Sequence, residues 1–309
     1  MDVVRGHQHC PAWSGAAVAI GNFDGVHVGH RALIDRAKEL AAANGDAKAV
    51  ALTFDPHPST LFAPSGAPKM ICSLARRLEL LEAAGLDAVV VEPFTRELAA
   101  LAPHAFVDNI VLGALRARAI VVGYDFCYGA NRSGTAEALR AHGGRAGVEV
   151  AIVEPVEVDG EIASSTRVRG CLRAGDVIGA ERVLGRRWDI DGTVVHGAKR
   201  GRALGIPTAN IAPTSDLLIA PGIYAVTLAA EGGPAMPAVA SLGTNPTFVE
   251  QGGLVLEVHV LDWDGDLYDK TVRTTFVARL RDEAKFANVD DLMAQIWADV
   301  AQARAILGA

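Results

Sequence analysis

The sequence predicts an α/β chain in two parts: a parallel sheet covered by helices, then a closed antiparallel barrel with one terminal helix. Three observations predict it. Over the first half, short apolar runs alternate with segments of helical periodicity. From Asp189 onward the helices vanish, and short alternating runs are separated by turns rich in Gly, Pro, Asn and Asp. The chain then finishes on one strong helical pattern that begins near Val289. The change of character falls near Gly185-Arg-Arg-Trp188, with no long linker, so the expected domains are residues 1–186 and 187–309.

The first strand is the apolar run 16–20, which has the length and bounds of a buried strand. Leu33, Ile34, Ala37, Leu40 and Ala41 then recur at helical spacing, and Gly45 is placed to end that helix. A second strand, 49–54, closes on Asp55-Pro-His-Pro58, a turn that either breaks the strand or presents a ligand contact. Residues 74–84 form a helix through Leu74, Leu78 and Leu81, stopped by Gly85, and 86–94 is a third strand. A helix over 104–115 carries Phe106, Ile110 and Leu115 on its apolar side, and 119–126 is a fourth strand. A short helix at 135–142 and a fifth strand at 148–153 complete the alternation. Apolar strands separated by helices mean a parallel sheet covered on both faces, with ligands beyond the carboxyl ends of its strands. An amphipathic segment with Val168, Leu172 and Val177 follows.

In the second half the runs 189–196, 223–228, 238–242, 254–261 and 272–277 alternate, a spacing that suggests a closed antiparallel barrel. Asp290 and Asp291 sit in the first turn of the last helix. Its apolar stripe of Val289, Leu292, Met293, Ile296, Trp297, Val300, Ile306 and Leu307 is expected to pack on the barrel, not to bind ligand.

Composition excludes several functions. The 309 residues are half hydrophobic, enough for one large core or two moderate ones, and the net charge of −7 gives no electrostatic support to a nucleic-acid partner. The four cysteines, Cys10, Cys72, Cys127 and Cys171, are far apart, which argues against a disulfide framework or zinc site and for a reducing compartment. No apolar run approaches the ~20 residues that cross a bilayer, and the first residues lack a leader-like apolar core. The expectation is a cytoplasmic, soluble protein with small-molecule partners, without nucleic acid or membrane, as a monomer or weak homo-oligomer.

Between the first strand and first helix lies Gly21-Asn-Phe-Asp-Gly-Val-His-Val-Gly-His30. A turn that feeds a helix N-terminus presents free N–H groups and a positive dipole end, which suits phosphate. His27 and His30 stand three apart and project to one side of a starting helical turn. There two imidazoles can donate hydrogen bonds to charge that develops in phosphoryl transfer. The alternatives are a helix cap, a surface residue, or half of a metal site, although no nearby Cys, Glu or further His completes a tetrahedral set. The string is neither a G-x-G-x-x-G fingerprint nor a Walker loop.

Gly123-Tyr-Asp-Phe-Cys-Tyr-Gly-Ala-Asn-Arg-Ser-Gly134 follows an apolar strand and looks like a ligand loop, where ring stacking could hold a flat heterocycle. Ala163-Ser-Ser-Thr-Arg-Val-Arg169 is a helix N-cap sequence that also offers hydroxyls and guanidinium groups to a triphosphate. In the barrel half, residues 196–210 hold Lys199, Arg200 and Arg202 among glycines, as either a phosphate-covering flap or an ordinary basic loop. Thr208 and Asn210, two apart on an extended segment, supply hard oxygen ligands for Mg²⁺. Glu257 is a carboxylate in an apolar alternating strand: either a buried base that takes a proton from an alcohol, or a rim residue with a basic partner.

The string from Phe23 to His30 resembles the signature of the HxGH nucleotidyltransferase superfamily, and Ser-Ser-Thr-Arg-Val-Arg169 resembles its second signature. With T-F-D-P-H-P, V-G-x-D-F, H-G-x-x-R-G-R-x-L-G-x-P-T-A-N, P-G-I-Y-A, G-T-N-P-T-F, E-V-H-V-L-D, G-D-L-Y and L-R-x-E-x-K-F in order, the chain resembles the prokaryotic bifunctional riboflavin kinase/FMN adenylyltransferase (FAD synthetase) family from about Val18 to Arg304. The resemblance implies an N-terminal Rossmann-like nucleotidyltransferase domain and a C-terminal antiparallel β-barrel riboflavin kinase domain with a terminal helix. It implies the substrates ATP, riboflavin and FMN, the products FMN, FAD, ADP and pyrophosphate, and Mg²⁺. It makes His27, His30 and Glu257 catalytic, and Thr208 and Asn210 metal ligands. It assigns nucleotide binding to Gly21, Asn22, Phe23, Asp24, Gly29, Ser165, Thr166, Arg169, Gly197, Arg200, Gly201 and Gly205. Flavin binding falls to Asp55, Pro56, Pro58, Asp125, Arg279, Arg281 and Phe286, with Glu283 and Lys285 in the same C-terminal loop.

Three motifs depart from that pattern: Cys127 and Tyr128 stand where Arg and Phe are usual, Ala163 precedes the serine pair where Ile or Val is frequent, and Ala220-Pro-Gly-Ile-Tyr224 lacks an Asp. They sit near binding loops and bear on flavin affinity or preference, and none removes a residue assigned to phosphate or metal. The alternatives to the bifunctional enzyme are a chain with only one active module, one that prefers a flavin analogue because of Cys127 and Tyr128, and a non-catalytic flavin or nucleotide sensor.

Overall fold

The computed structural model describes residues 1–62, 66–197, 205–244 and 254–309. They form two compact units, one of residues 1–69 and 74–164, the other of residues 70–73 and 165–309.

The first unit is built on a six-stranded sheet: β1 (Asp2–Arg5), β2 (Ala16–Ile20), β3 (Lys48–Asp55), β4 (Ala88–Pro93), β5 (Ala117–Gly123) and β6 (Glu149–Val153). The spatial order is β1-β4-β3-β2-β5-β6, and every neighbouring pair is parallel. Helix α1 (Val28–Ala43) returns the chain from β2 to β3 and buries Leu33, Ile34, Ala37, Leu40 and Ala41, the set its periodicity predicts. Short α2 (Pro58–Phe62) and α3 (Leu74–Ala83) lead to β4, and α4 (Ala136–Arg145) leads to β6. Central β2 is buried along its whole length.

Two elements differ from expectation. Strand β1 has no counterpart in the sequence reading, because only Val4 of its four residues is buried and no apolar run marks it. The helix expected over 104–115 is instead a short α-turn, Pro103–Ala105, followed by π-helical backbone over Phe106–Ala114. Leu115 N–H reaches back five residues to the Ile110 carbonyl, and the wider turn still turns Phe106, Val107, Ile110 and Val111 into the core. Gly113 suits it: a Cβ there would lie 2.9 Å from the Asp108 carbonyl oxygen.

In the second unit, α5 (Ser165–Arg173) and α6 (Val177–Leu184) precede a closed barrel of β7 (Asp189–Val195), β8 (Ala209–Pro213), β9 (Gly222–Ala230), β10 (Met236–Thr244), β11 (Leu254–Val260) and β12 (Thr271–Arg281). The order is β7-β8-β11-β10-β9-β12, and β12 pairs back to β7, so no edge is left open. Strand β8 is marked in the sequence only as an extended segment, because Ile211 is its one buried residue. Trp188, Tyr224 and Phe276 fill the barrel, with ring centroids 5.0 Å (Trp188–Phe276) and 5.3 Å (Tyr224–Phe276) apart. Each such side chain contributes roughly 1.5–3 kcal/mol through burial.

Division by packing falls at Ser164/Ser165, ahead of the expected domain boundary after residue 186. Helix α6 buries Val177, Ala180, Val183 and Leu184 and packs against α5 and β12. Residues 70–73 join the same unit, where the Trp188 indole N–H donates to the Ile71 carbonyl at 2.9 Å.

Helix α7 (Val289–Leu307) starts at an Asn288 cap that accepts from the Asp291 N–H, and it lies on β9, β10 and β12. Its packing face departs from the expected stripe. Val289, Trp297 and Ile306 are exposed, whereas Asp299, Val300 and Ala303 are buried. The apolar residues span a wider arc than the barrel can cover, and Arg281 selects the face by pairing with Asp299. Among the described residues no helix is long and apolar enough to cross a membrane.

Candidate active sites

In the first unit the chain order reverses between β2 and β5: β3 lies on one side of β2 and β5 on the other. Open parallel sheets bind ligands at such a switch point, outside the carboxyl ends of the strands. The loops leaving β2 and β5 there are 21–27 and the one carrying Asp125.

The β2 loop places two imidazoles. His27 is the N-cap of α1, and its Nδ1 accepts hydrogen bonds from the Gly29 N–H at 3.1 Å and the His30 N–H at 3.4 Å. An Nδ1 that accepts leaves the proton of a neutral ring on Nε2, which is then a donor. The His27 and His30 rings stack with centroids 3.7 Å apart, so capping and pairing are both realised. Gly29 packs closely beneath them: a Cβ there would sit 3.0 Å from His27 Cε1 and 3.4 Å from the Ala163 carbonyl oxygen, close enough that the ring would have to give.

Phe23 and Asp24 are buried, so Phe23 supports rather than touches a ligand: its ring lies 5.2 Å from that of His30. Gly21 follows β2 directly and donates its N–H to the Leu52 carbonyl. The Asn22 carbonyl accepts from Thr53 Oγ1 at 3.0 Å, and Thr53 Oγ1 in turn accepts from the buried Arg77 guanidinium, which also donates to the Phe54 carbonyl at 3.3 Å. Thr53 and Arg77 thus tie the β2 turn to the end of β3; the sequence reading missed both because nothing in the pattern distinguishes them from core and helix residues.

Strand β3 ends at Asp55, followed by a cis Asp55–Pro56 bond, and Pro58 opens α2. The turn does break the strand, and it also carries the chain to Phe62, a phenyl ring 70% exposed and edge-on to Phe94. Phe62 escaped the sequence reading, though an aromatic just past a strand-ending Pro pair is a usable signal. Asp125 is exposed, its Oδ1 lying over Gly123. In the same loop Tyr128 is not available for stacking on a ligand. It is buried against Phe106, and burial pushes its hydroxyl pKa up. Tyr124 is the exposed ring there.

Ser165, Thr166 and Arg169 belong to α5 of the second unit, Arg169 being buried.

On the barrel, antiparallel pairing puts Asn210 directly opposite Glu257, and Glu257 directly opposite Ser241. Directly opposed residues share a face. Leu256, Val258 and Val260 fill the interior, so Glu257 lies on the outer face, half-buried. Of the two alternatives for Glu257, a buried base or a rim residue, this position is on the wall's outer side and not inside the barrel. The alternation of the strand was right, but the apolar phase takes the inside. The same row continues through Ile223 to Arg281, three strands on and therefore halfway around the six-stranded barrel from Glu257.

Gly197 lies directly against the Asn210 amide, where a Cβ would not fit. Pro207, just before Thr208, has its carbonyl held by His259 Nδ1 at 2.8 Å. Gly205 has φ +77 and is exposed, while Arg200 and Gly201 lie outside the described residues. Thr208 and Asn210 offer a hydroxyl and an amide carbonyl, hard oxygen donors that fit a divalent cation. Among the described residues no group of three or more His, Cys, Asp or Glu could hold a metal ion.

At the far end of the row, Arg281 is engaged by Asp299 through Nε and Nη2, at 2.9 Å and 2.8 Å, and lies 5.8 Å from the Phe286 ring centroid. Arg279 donates to the Pro221 carbonyl at 2.8 Å and to Asp282 at 2.6 Å. Both guanidinium groups are therefore held by their own chain.

A sequence model of the FAD synthetase family matches residues 9–167, and one of the riboflavin kinase family matches residues 184–307. A bifunctional riboflavin kinase/FMN adenylyltransferase of Pseudomonas fluorescens is 40% identical over 307 residues, covering 99% of this chain and 98% of that one. The chain belongs to the bifunctional riboflavin kinase/FMN adenylyltransferase family. The protein of that name from Escherichia coli K12 is 36% identical across 95% of this chain and 93% of its own length. The crystal structure of a Streptococcus pneumoniae protein described as a macrolide-efflux protein has the same fold, with a TM-score of 0.87 at 31% identity, covering 98% of this chain and 99% of that one. Within the family pattern, the departure at Cys127 is an exposed thiol, and that at Tyr128 is core packing.

Proposed function

We propose that the barrel phosphorylates riboflavin and the sheet unit adenylylates the FMN so formed. The observation that carries this is the presence, on one chain, of a stacked imidazole pair at a sheet switch point and an in-register Asn–Glu pair on a barrel face.

In the barrel, the ribityl 5′-hydroxyl attacks the γ-phosphorus of ATP, and ADP leaves. Glu257 takes the hydroxyl proton. Thr208 and Asn210 would hold Mg²⁺, which neutralises charge on the phosphate oxygens when bound. Arg281 and Phe286, together with Arg279, form the wall for the flavin ring. Arg200 and Gly201, with Gly197 and Gly205, are assigned to the triphosphate.

In the sheet unit, an FMN phosphate oxygen attacks the α-phosphorus of a second ATP; pyrophosphate leaves and FAD remains. His27 and His30 donate to the charge that builds on the phosphates, and the amides around Gly21, Asn22 and Gly29 contribute the positive end of α1. The family signature assigns phosphate oxygens to Ser165, Thr166 and Arg169. Asp55, Pro56, Pro58 and Asp125 line the flavin side, with Phe62 as a stacking surface. Neither step needs a covalent nucleophile, because alignment and charge neutralisation supply the catalysis. A cytoplasmic location and a monomer or weak homo-oligomer complete the reading.

The test is incubation of the intact chain with riboflavin and MgATP, followed by chromatographic separation of flavins. FMN and FAD are both expected. FMN without FAD means an inactive adenylyl module, and neither product means a sensor.

A further inference from the structure

We infer that His259 is a positioning residue for the metal-binding segment 208–210, acting through the Pro207 carbonyl. The inference rests on the kinase reading of the barrel face.

The ladder between β8 and β11 begins at the pair Ala209–Val258, so Thr208 stands just outside it. Pro207 has no N–H to offer a neighbouring strand. What anchors the chain there is a side chain: His259 Nδ1 lies 2.8 Å from the Pro207 carbonyl oxygen. A carbonyl only accepts, so Nδ1 must carry the proton and donate. Thr208 is thereby pinned on both sides, by the imidazole before it and by the strand ladder after it.

His259 and Glu257 are two residues apart on β11 and share its outer face, with Val258 buried between them. One strand therefore sets two things together: where the carboxylate sits, and where the Thr208 hydroxyl sits relative to Asn210. The imidazole touches neither phosphate nor metal in this arrangement. It fixes the carbonyl next to a metal ligand, as outer-shell partners commonly do, and losing such a partner typically costs 10–100-fold in metal affinity.

The experiment compares the intact chain with His259→Phe, which fills the space without a donor, and His259→Asn, whose side-chain N–H can replace Nδ1–H. His259 is half-exposed, so neither change opens the core. Three readouts are taken: the Mg²⁺ concentration that half-saturates FMN formation, FAD formation from supplied FMN, and amide hydrogen exchange of the 205–210 peptide without metal. For His259→Phe the Mg²⁺ requirement should rise at least tenfold, with kcat at saturating Mg²⁺ within about twofold of the parent. The peptide should exchange faster, and FAD formation should not change. His259→Asn should restore both Mg²⁺ response and exchange.

A parent-like Mg²⁺ response and exchange in His259→Phe overturns the inference, as does an Asn variant as defective as Phe. If His259→Phe also loses FAD formation, it has misfolded, and His259→Ser carries the same expectations in its place. A parent chain that makes no FMN refutes the kinase reading, while the exchange comparison still decides whether His259 holds the segment.

Discussion

The pairing of Arg281 with Asp299 makes a quantitative prediction about how the terminal helix is held. The Asp299 side chain is 4% exposed and that of Arg281 21%. The carboxylate accepts from Arg281 Nε and Nη2, and from the Gln295 amide at 2.9 Å. Asp299→Leu leaves a guanidinium facing α7 without its anion. Breaking a buried ion pair from one side costs about 3–5 kcal/mol, and the partial exposure of Arg281 lowers the expectation to roughly 2–3 kcal/mol. For a unit of this size that corresponds to a fall of roughly 4–12 °C in the melting temperature of the barrel transition. The informative comparison is the double variant Arg281→Met/Asp299→Leu, which removes both charges and fills the gap with apolar atoms. It should recover most of the loss and end within about 1 kcal/mol of the parent, because most of the single-variant cost is the orphaned cation. The measurement is calorimetric melting of the parent, both singles and the double. A double variant as unstable as the sum of the singles would refute the reasoning, since it would mean that the residues contribute independently.

Other expectations follow from the two sites. Glu257→Gln should lower FMN formation by about 10²–10⁴-fold while FAD still forms from supplied FMN; His27→Ala should do the reverse, and joint loss of both activities would contradict separate sites. Gly29→Ala should reduce FAD formation by roughly tenfold, because a methyl 3.0 Å from His27 Cε1 displaces that ring against its partner; unchanged turnover would refute the packing argument. Burial, followed by the charge of Glu92, raises the Cys10 thiol from 9.0 to about 11, whereas Cys127 is exposed. Iodoacetamide at pH 8 should therefore label Cys127 well before Cys10, read by peptide mass spectrometry. Because the folded pKa of Cys10 is the higher one, its protonated thiol contributes stability that is present below pH 9 and lost as pH rises toward 11.

The sequence alone determined the class of each half, because apolar periodicity reports which side of a local element is buried. Leu33, Ile34, Ala37, Leu40 and Ala41 form the buried face of α1 as their spacing required. The imidazole pair was legible for the same reason, since residues three apart at a helix start must meet. Only the tertiary structure decided features set by partners distant in sequence. Strand β1 has too little apolar signal to announce itself, and it exists because β4 offers an edge. The side of the barrel wall on which Glu257 falls was decided by its neighbours Leu256 and Val258 taking the interior, and its alignment with Asn210 by register between strands 47 residues apart. Likewise the face of α7 that packs inward is the one on which Asp299 meets Arg281 of β12, a partner that local periodicity does not reveal. Local periodicity says that a residue is buried or exposed; which residues come together is settled by closure of the sheet and the barrel.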